Sequence, residues 1–193
     1  MNDFTHNSHQ SNNPFEISLP SSNLWVFGYG SLMWKPGFRY LQSSPARLYG
    51  FNRRLCLWSI HYRGTPERPG LVVGLIPGGS CHGVAFQIDE SFREETLQYL
   101  YDREMTNYAY RPILKSIYLE SRSKVKALTF VSRKDHKQFA SLNSDHDIIN
   151  IIKKAEGPMG TNIDYVINTV AHLKEIGIHD SQLYRIANRL KFT

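Results

Sequence analysis

The chain predicts an α+β fold, in which antiparallel strands come first and helices gather towards the end. Three features carry that expectation. Short apolar runs separated by Gly, Pro and Ser clusters fill residues 24–88, the pattern of strands and hairpins. After Ser91 the hydrophobic period changes to that of a helix. A second strand pair follows, and the remainder holds three helical patterns. Hairpins, one helix, a hairpin and then helices form a segregated order, not the repeating strand–helix–strand of a doubly wound sheet.

Residues 1–23 are rich in Asn, Ser, His and Pro and read as a disordered or loosely draped leader. His6 and His9 within it read as solvent-exposed. Residues 24–193 read as a single domain, with no internal repeat. Trp25-Val26-Phe27 is an apolar strand that stops at Gly28-Tyr29-Gly30-Ser31. A glycine turn after a strand leaves room for a ligand and lines up backbone N–H groups in an anion-binding concavity. By itself, the G-x-G also fits an ordinary tight turn. Residues 46–60 read as one long strand or two, and residues 62–70 as a Gly/Pro-rich loop. Residues 71–76 form a strand, Pro77-Gly78-Gly79-Ser80 a turn, and residues 81–88 the antiparallel return.

Ser91 with Glu94 makes a capping box. Leu97, Leu100, Tyr101 and Glu104 then share one helical face, while Glu94, Gln98 and Asp102 take the polar one. Residues 113–120 and 125–131 form a second hairpin, closed by Ser121-Arg122-Ser123-Lys124. Ser144 caps a helix with Ile148, Ile149, Ile151 and Ile152 inward, ended by Gly157-Pro158. Thr161 or Asn162 caps the next, with Ile163, Val166, Ile167, Val170 and Leu173 inward and Gly177 as terminator. Asp180 caps the last, with Leu183, Ile186, Ala187 and Leu190 inward.

Composition narrows the function. A chain of 193 residues, 41% hydrophobic and 21% charged, is ordinary for a globular domain with a sizeable core. A formal net charge of +6 suits nucleic acid, an anionic membrane or a small acidic substrate. The Lys and Arg residues are scattered without a long run, which argues against nucleic acid. No apolar stretch is long and clean enough to span a membrane, and no basic-then-apolar start marks a signal peptide. Cys56 and Cys81 lie in apolar runs without a C-x-x-C and read as buried free thiols, which suits a reducing cytoplasm. Eight histidines occur without metal-ligand spacing, and there is no Walker loop or full G-x-G-x-x-G, so no metal or cofactor is expected.

Glu104 demands an explanation, because burying a charge is costly unless it is paired. One reading is a strut paired with Arg103, Arg111 or Arg54. The other is a general base. Desolvation and the negative end of the helix dipole both raise a carboxyl pKa, which suits proton exchange near neutral pH.

Four motifs carry a family resemblance. Trp25-Val26-Phe27-Gly28-Tyr29-Gly30-Ser31-Leu32-Met33-Trp34-Lys35-Pro36-Gly37-Phe38 resembles the opening signature of the ChaC-like γ-glutamylcyclotransferases. Tyr99-Leu100-Tyr101-Asp102-Arg103-Glu104-Met105 resembles the second, whose Arg-Glu pair holds the catalytic acid/base. Gly157-Pro158-Met159-Gly160-Thr161-Asn162-Ile163-Asp164-Tyr165 resembles the third, and Arg63-Gly64-Thr65-Pro66-Glu67-Arg68-Pro69-Gly70 the family's Arg/Gly/Pro loop. The resemblance as a whole covers about residues 24–190. The resemblance implies a γ-glutamylcyclotransferase-like fold: a small, mostly antiparallel closed β-barrel flanked by helices, with C-terminal helices and a pocket at the barrel mouth. It implies an enzyme that cleaves glutathione to 5-oxoproline and cysteinylglycine, with Glu104 as acid/base. Because the substrate's own α-amine attacks, no Ser/His/Asp or Cys/His arrangement is needed.

The resemblance also implies that the main chain of Gly28, Tyr29, Gly30, Ser31, Leu32 and Met33 holds the γ-glutamyl group. Tyr29 either lines the pocket or packs in the core. Tyr165 is a hydroxyl donor to substrate or half-buried packing. Arg63 steers the anionic tripeptide or bridges loops. Tyr110, next to Arg111-Pro112, matches the family better than Tyr108 as the aromatic that reaches the pocket. Two other readings stay open: a cyclotransferase acting on another γ-glutamyl amine or peptide, and a non-catalytic domain binding an anionic ligand. The latter has no use for a pocket carboxylate. A cytoplasmic monomer is expected, with a homodimer as the alternative, and with neither nucleic acid nor membrane as partner.

Overall fold

The computed structural model describes residues 13–191. Its centre is a closed barrel with strand order β1-β3-β2-β4-β5. The strands are β1 (Trp25–Gly28), β2 (Tyr40–Ser59), β3 (Gly70–Ile88), β4 (Tyr110–Leu119) and β5 (Lys124–Ser132). Every pairing is antiparallel except that of β1 with β5, which is parallel and closes the barrel at Trp25↔Ala127. Alternation along β1 sends Trp25 and Phe27 into one buried cluster with Leu48, Leu75 and Ile117. Leu24 and Val26 face the opposite way. There they meet Leu97 and Leu100 of α1 (Arg93–Glu104). Helices α2 (Asp145–Lys154), α3 (Asn162–Glu175) and α4 (Ser181–Lys191) build a separate core against Leu55, Leu71 and Val73.

The two halves expected as a hairpin at residues 71–88 are one continuous strand. Its pairing with β2 runs from Ser59↔Gly70 to Tyr40↔Ile88 and continues past Pro77 to Tyr49↔Ser80. Gly78 and Gly79 do take positive φ, 114° and 64°. Gly50 on the facing strand does so as well, at 83°, where the register slips between Tyr49 and Phe51. The paired strands therefore bend together and no turn reverses the chain.

The entry to α1 also differs from the capping box expected at Ser91. Asp89 is the cap: its carboxylate accepts the Ser91 N–H at 3.0 Å and opens a single 3-10 turn (Glu90–Phe92) ahead of the helix. An Asp side chain reaches the N–H two residues on, so it takes the role first. The phase of α1 holds. Leu97 and Leu100 are buried, Asp102 is exposed and Glu104 is largely covered.

The C-terminal caps fall at Ser144, Thr161 and Asp180, accepting from the N–H groups of Asp147, Asp164 and Leu183. Helix α2 ends at Lys154. Gly157 then belongs to a two-residue pairing of β6 (Glu156–Gly157) with β7 (Gly160–Thr161). Asn162 has a different task. Its amide accepts from the Leu71 N–H at 2.6 Å and donates to the Leu71 carbonyl at 2.8 Å. The stretch of β3 beyond the reach of β1 would otherwise leave these groups unpaired in the interior, at a cost comparable to lost hydrogen bonds. One residue pair along, the Val73 N–H donates to Tyr165 Oη at 3.1 Å and Tyr110 Oη donates to the Val73 carbonyl at 3.3 Å. Side chains thus stand in for a missing strand neighbour and fasten α3 to the barrel.

Of the leader expected over residues 1–23, residues 13–23 are described. Phe15 is 1% exposed and packs against Tyr101 and Phe130, each with ring centroids 5.6 Å away. His6 and His9 lie outside the described residues. Among the described residues, no helix is long and apolar enough to cross a membrane.

Candidate active site

A cavity of about 740 Å³ opens where the turn after β1, the end of α1, the end of β2 and one face of α3 converge. Glu104 is the last residue of α1 and lines this cavity. Its side chain is 16% exposed. Burial pushes its carboxyl above the usual carboxylate range, and the Arg103 guanidinium pulls it partly back. Arg103 Nε sits 3.1 Å from Glu104 Oε1. Of the three arginines considered as partners for Glu104, Arg103 is the one that pairs.

Arg103 does more than the sequence suggested. Its Nη1 donates to the Lys35 carbonyl and to Tyr99 Oη, at 2.9 and 2.8 Å, and its Nη2 donates to Ser31 Oγ at 2.9 Å. One guanidinium therefore fixes the carboxylate relative to the turn that follows β1. A planar fork with five donors is suited to this; a lysine ammonium is not.

That turn is a single 3-10 turn (Ser31–Met33). The Met33 N–H donates to the Gly30 carbonyl at 2.9 Å, and those of Trp34 and Lys35 to the Ser31 carbonyl. The N–H groups of Gly30, Ser31 and Leu32 have no acceptor among the described residues. Successive free donors beside a cavity form an anion-binding concavity. Tyr29, Gly30, Ser31 and Leu32 line the cavity. Gly28 and Met33 do not. Gly28 lies under the turn, where an added Cβ would come 3.0 Å from Leu32 Cβ. Met33 is buried in the core shared with α2, α3 and α4.

Behind the turn stands Arg53, buried within β2 and unremarked in the sequence. Its Nε donates to the Tyr29 carbonyl at 2.6 Å, its Nη2 to the His82 carbonyl at 2.6 Å, and its Nη1 pairs with Asp180 at 2.9 Å. The residue that caps α4 thereby also holds the cation that anchors the turn.

Three further residues named from sequence meet at the cavity. Tyr110 lines it, whereas Tyr108 is exposed, has a φ of 53° and meets Tyr101 at the surface. Tyr29 both lines the cavity and packs in the barrel core, close to Tyr110. Burial pushes both phenols well above their ordinary values, with the nearby Glu104 charge adding to it, so they stay protonated. Tyr165 lines the cavity as well, with its hydroxyl held by Val73. Arg63 bonds to the Thr161 carbonyl at 3.4 Å and lies over the Tyr165 ring at 5.7 Å, so it both bridges loops and borders the cavity. The thiols Cys56 and Cys81 are pushed up to about 11 by burial, which leaves them inert.

A desolvated carboxylate, clamped beside a turn whose backbone donors have no acceptor among the described residues, is an arrangement capable of acid/base chemistry on a small anionic molecule. Comparison with known proteins narrows this class. The model of the ChaC-like protein family matches residues 24–192, and the chain belongs to that family. A protein of Escherichia coli K12, named glutathione-specific gamma-glutamylcyclotransferase, is 34% identical over 160 residues, covering 83% of this chain and 69% of its own. The zebrafish (Danio rerio) glutathione-specific gamma-glutamylcyclotransferase 1 is 33% identical over 165 residues, covering 83% and 84%. The crystal structure of a yeast γ-glutamyl cyclotransferase specific to glutathione superposes with a TM-score of 0.79 at 22% identity, over 89% of this chain and 96% of that one, and shares the fold.

Proposed function

We propose that this chain is a glutathione-specific γ-glutamylcyclotransferase with Glu104 as its general acid/base. Family membership and the names of its relatives support the activity. The observation that carries the residue assignment is the covered carboxylate of Glu104 in one cavity with Gly30, Ser31 and Leu32, whose N–H groups have no acceptor among the described residues.

The α-amine of the γ-glutamyl group is the nucleophile. Free α-amines have a pKa of about 8 and are mostly protonated at neutral pH. The ammonium gives one proton to solvent before attack, and Glu104 receives a second from the same nitrogen as it attacks. The new C–N bond closes a five-membered ring on the γ-carbonyl carbon. The developing oxyanion is met by backbone N–H groups of the turn, where one well-placed donor contributes about 3 kcal/mol. Glu104 returns its proton to the cysteinyl nitrogen as the old C–N bond breaks. The products are 5-oxoproline and cysteinylglycine, and no water is consumed. The remaining task is to fold the γ-glutamyl chain so that its two ends meet, since intramolecular reactions gain large effective molarities. Arg63 and Arg103 give the cavity the positive charge a tripeptide with two carboxylates requires.

On this reading the chain works as a cytoplasmic monomer, and residues 24–193 form the catalytic unit. Incubation with glutathione, γ-Glu-Ala and γ-Glu-Lys tests the reading. Release of 5-oxoproline from glutathione well above that from the dipeptides supports it. Equal or greater release from a dipeptide assigns the chain to another γ-glutamyl substrate.

A further inference from the structure

The site described so far accounts for the γ-glutamyl half of the substrate. The other half, cysteinylglycine, needs a wall of its own. The cavity supplies one on α3, where Tyr165, Asn168, Thr169 and His172 all face it. Their spacing of i, i+3, i+4 and i+7 is one stripe of a helix. Two of the four are already engaged. Tyr165 Oη accepts from Val73, and Thr169 Oγ1 donates to the Tyr165 carbonyl at 2.7 Å. The side chain of Asn168, an exposed residue, has no hydrogen-bond partner among the described residues. His172 is held on two sides and open on a third. Its ring stacks on Trp34 with centroids 4.5 Å apart and planes at 18°, and its Nδ1 lies 3.0 Å from Glu175 Oε2. Nε2 has no partner among the described residues.

We infer that Asn168 and His172 form the subsite for the cysteinylglycine half of glutathione, with Asn168 on its peptide group and His172 on the glycine carboxylate. The inference rests on the cyclotransferase reading and extends it to the leaving group. An Asn carboxamide offers both a donor and an acceptor, as a peptide group requires. The ring has two nitrogens on opposite sides, so with Nδ1 turned to Glu175 the Nε2 position is left to meet a carboxylate. The two side chains stand one helical turn apart, about 6 Å. Two extended residues span about 7 Å, so a peptide group and the carboxylate beyond it fit that interval. Trp34 follows the free donors of the turn by two residues, and the neighbouring Lys35 carbonyl is tied to Glu104 through Arg103. The subsite is thus joined to the reacting end by a few bonded groups.

The test compares glutathione with γ-Glu-Cys, which lacks only the glycine, in wild type and in His172→Ala. A charge-assisted hydrogen bond lost from one substrate alone changes relative kcat/KM by about tenfold or more. The expected result is that His172→Ala lowers the preference for glutathione over γ-Glu-Cys by about that factor, through KM. His172→Gln, which keeps a donor, recovers part of it. Asn168→Ala has a smaller effect in the same direction. An equal loss on both substrates, or an unchanged preference with a correctly folded variant, overturns the subsite. No 5-oxoproline from either substrate with wild type overturns the cyclotransferase reading itself, and the subsite with it.

Discussion

Glu104 shows how much one side chain's environment decides. Its carboxyl gives up a proton less readily in the folded chain than in the unfolded one, because burial disfavours the charge. The folded state then binds more protons than the unfolded state, so stability falls as pH rises from the ordinary carboxylate range through the raised folded value. Glu104→Gln removes that slope. Comparing chemical denaturation of the two proteins between acid and neutral pH measures it, and parallel curves would refute the shift. Arg103 opposes the shift. In Arg103→Met the acidic limb of the kcat/KM profile accordingly moves to higher pH, and kcat falls as Ser31 and the Lys35 carbonyl lose their clamp. The phase of α1 made Glu104 legible, since a carboxylate in step with Leu97 and Leu100 is visible in one helix. The reach of Arg103 to Ser31 joins positions 72 apart and has no local signature.

At the scale of elements, the site depends on how α3 is fastened to β3. The Asn162 amide pairs both backbone groups of Leu71, while Tyr110 and Tyr165 pair those of Val73. Asn162→Ala leaves the buried Leu71 N–H and carbonyl unpaired, at a cost of about 3 kcal/mol. The expected outcome is a Tm lower by about 10 °C in calorimetry. Helix positions and their inward faces were readable because each has a cap and a 3.6-residue period. The course of β3 was not. Pro77-Gly78-Gly79-Ser80 is turn chemistry in any sequence, and only the matching bend at Gly50 on the facing strand turns it into a continuous ribbon. The role of Asn162 was hidden likewise, because an Asn at a helix start reads first as a cap.

For the whole molecule, a closed barrel leaves few free strand edges, and the helices collect where one remains. The cavity forms at that junction, so its walls come from parts of the chain far apart in sequence. Such a site is legible in sequence only as isolated motifs, and the resemblance to a family joined them. The start of the described chain belongs to this architecture through Phe15, which packs against α1 and β5. Two truncations, of residues 1–12 and of residues 1–23, differ by the segment that carries Phe15. Removing residues 1–23 deletes a buried aromatic ring, worth about 3 kcal/mol or more, and lowers Tm while the cavity residues remain. Equal Tm values for the two truncations would show that Phe15 is dispensable.

The central claim concerns a proton carried by Glu104 between the two nitrogens of one substrate. Turnover of glutathione to 5-oxoproline by wild type and by Glu104→Gln, each checked for folding, tests it most directly. The account predicts 5-oxoproline and cysteinylglycine in equal amounts from wild type, and a kcat about 10²- to 10⁴-fold lower for the variant. A folded Glu104→Gln protein that turns over glutathione at the wild-type rate would contradict it.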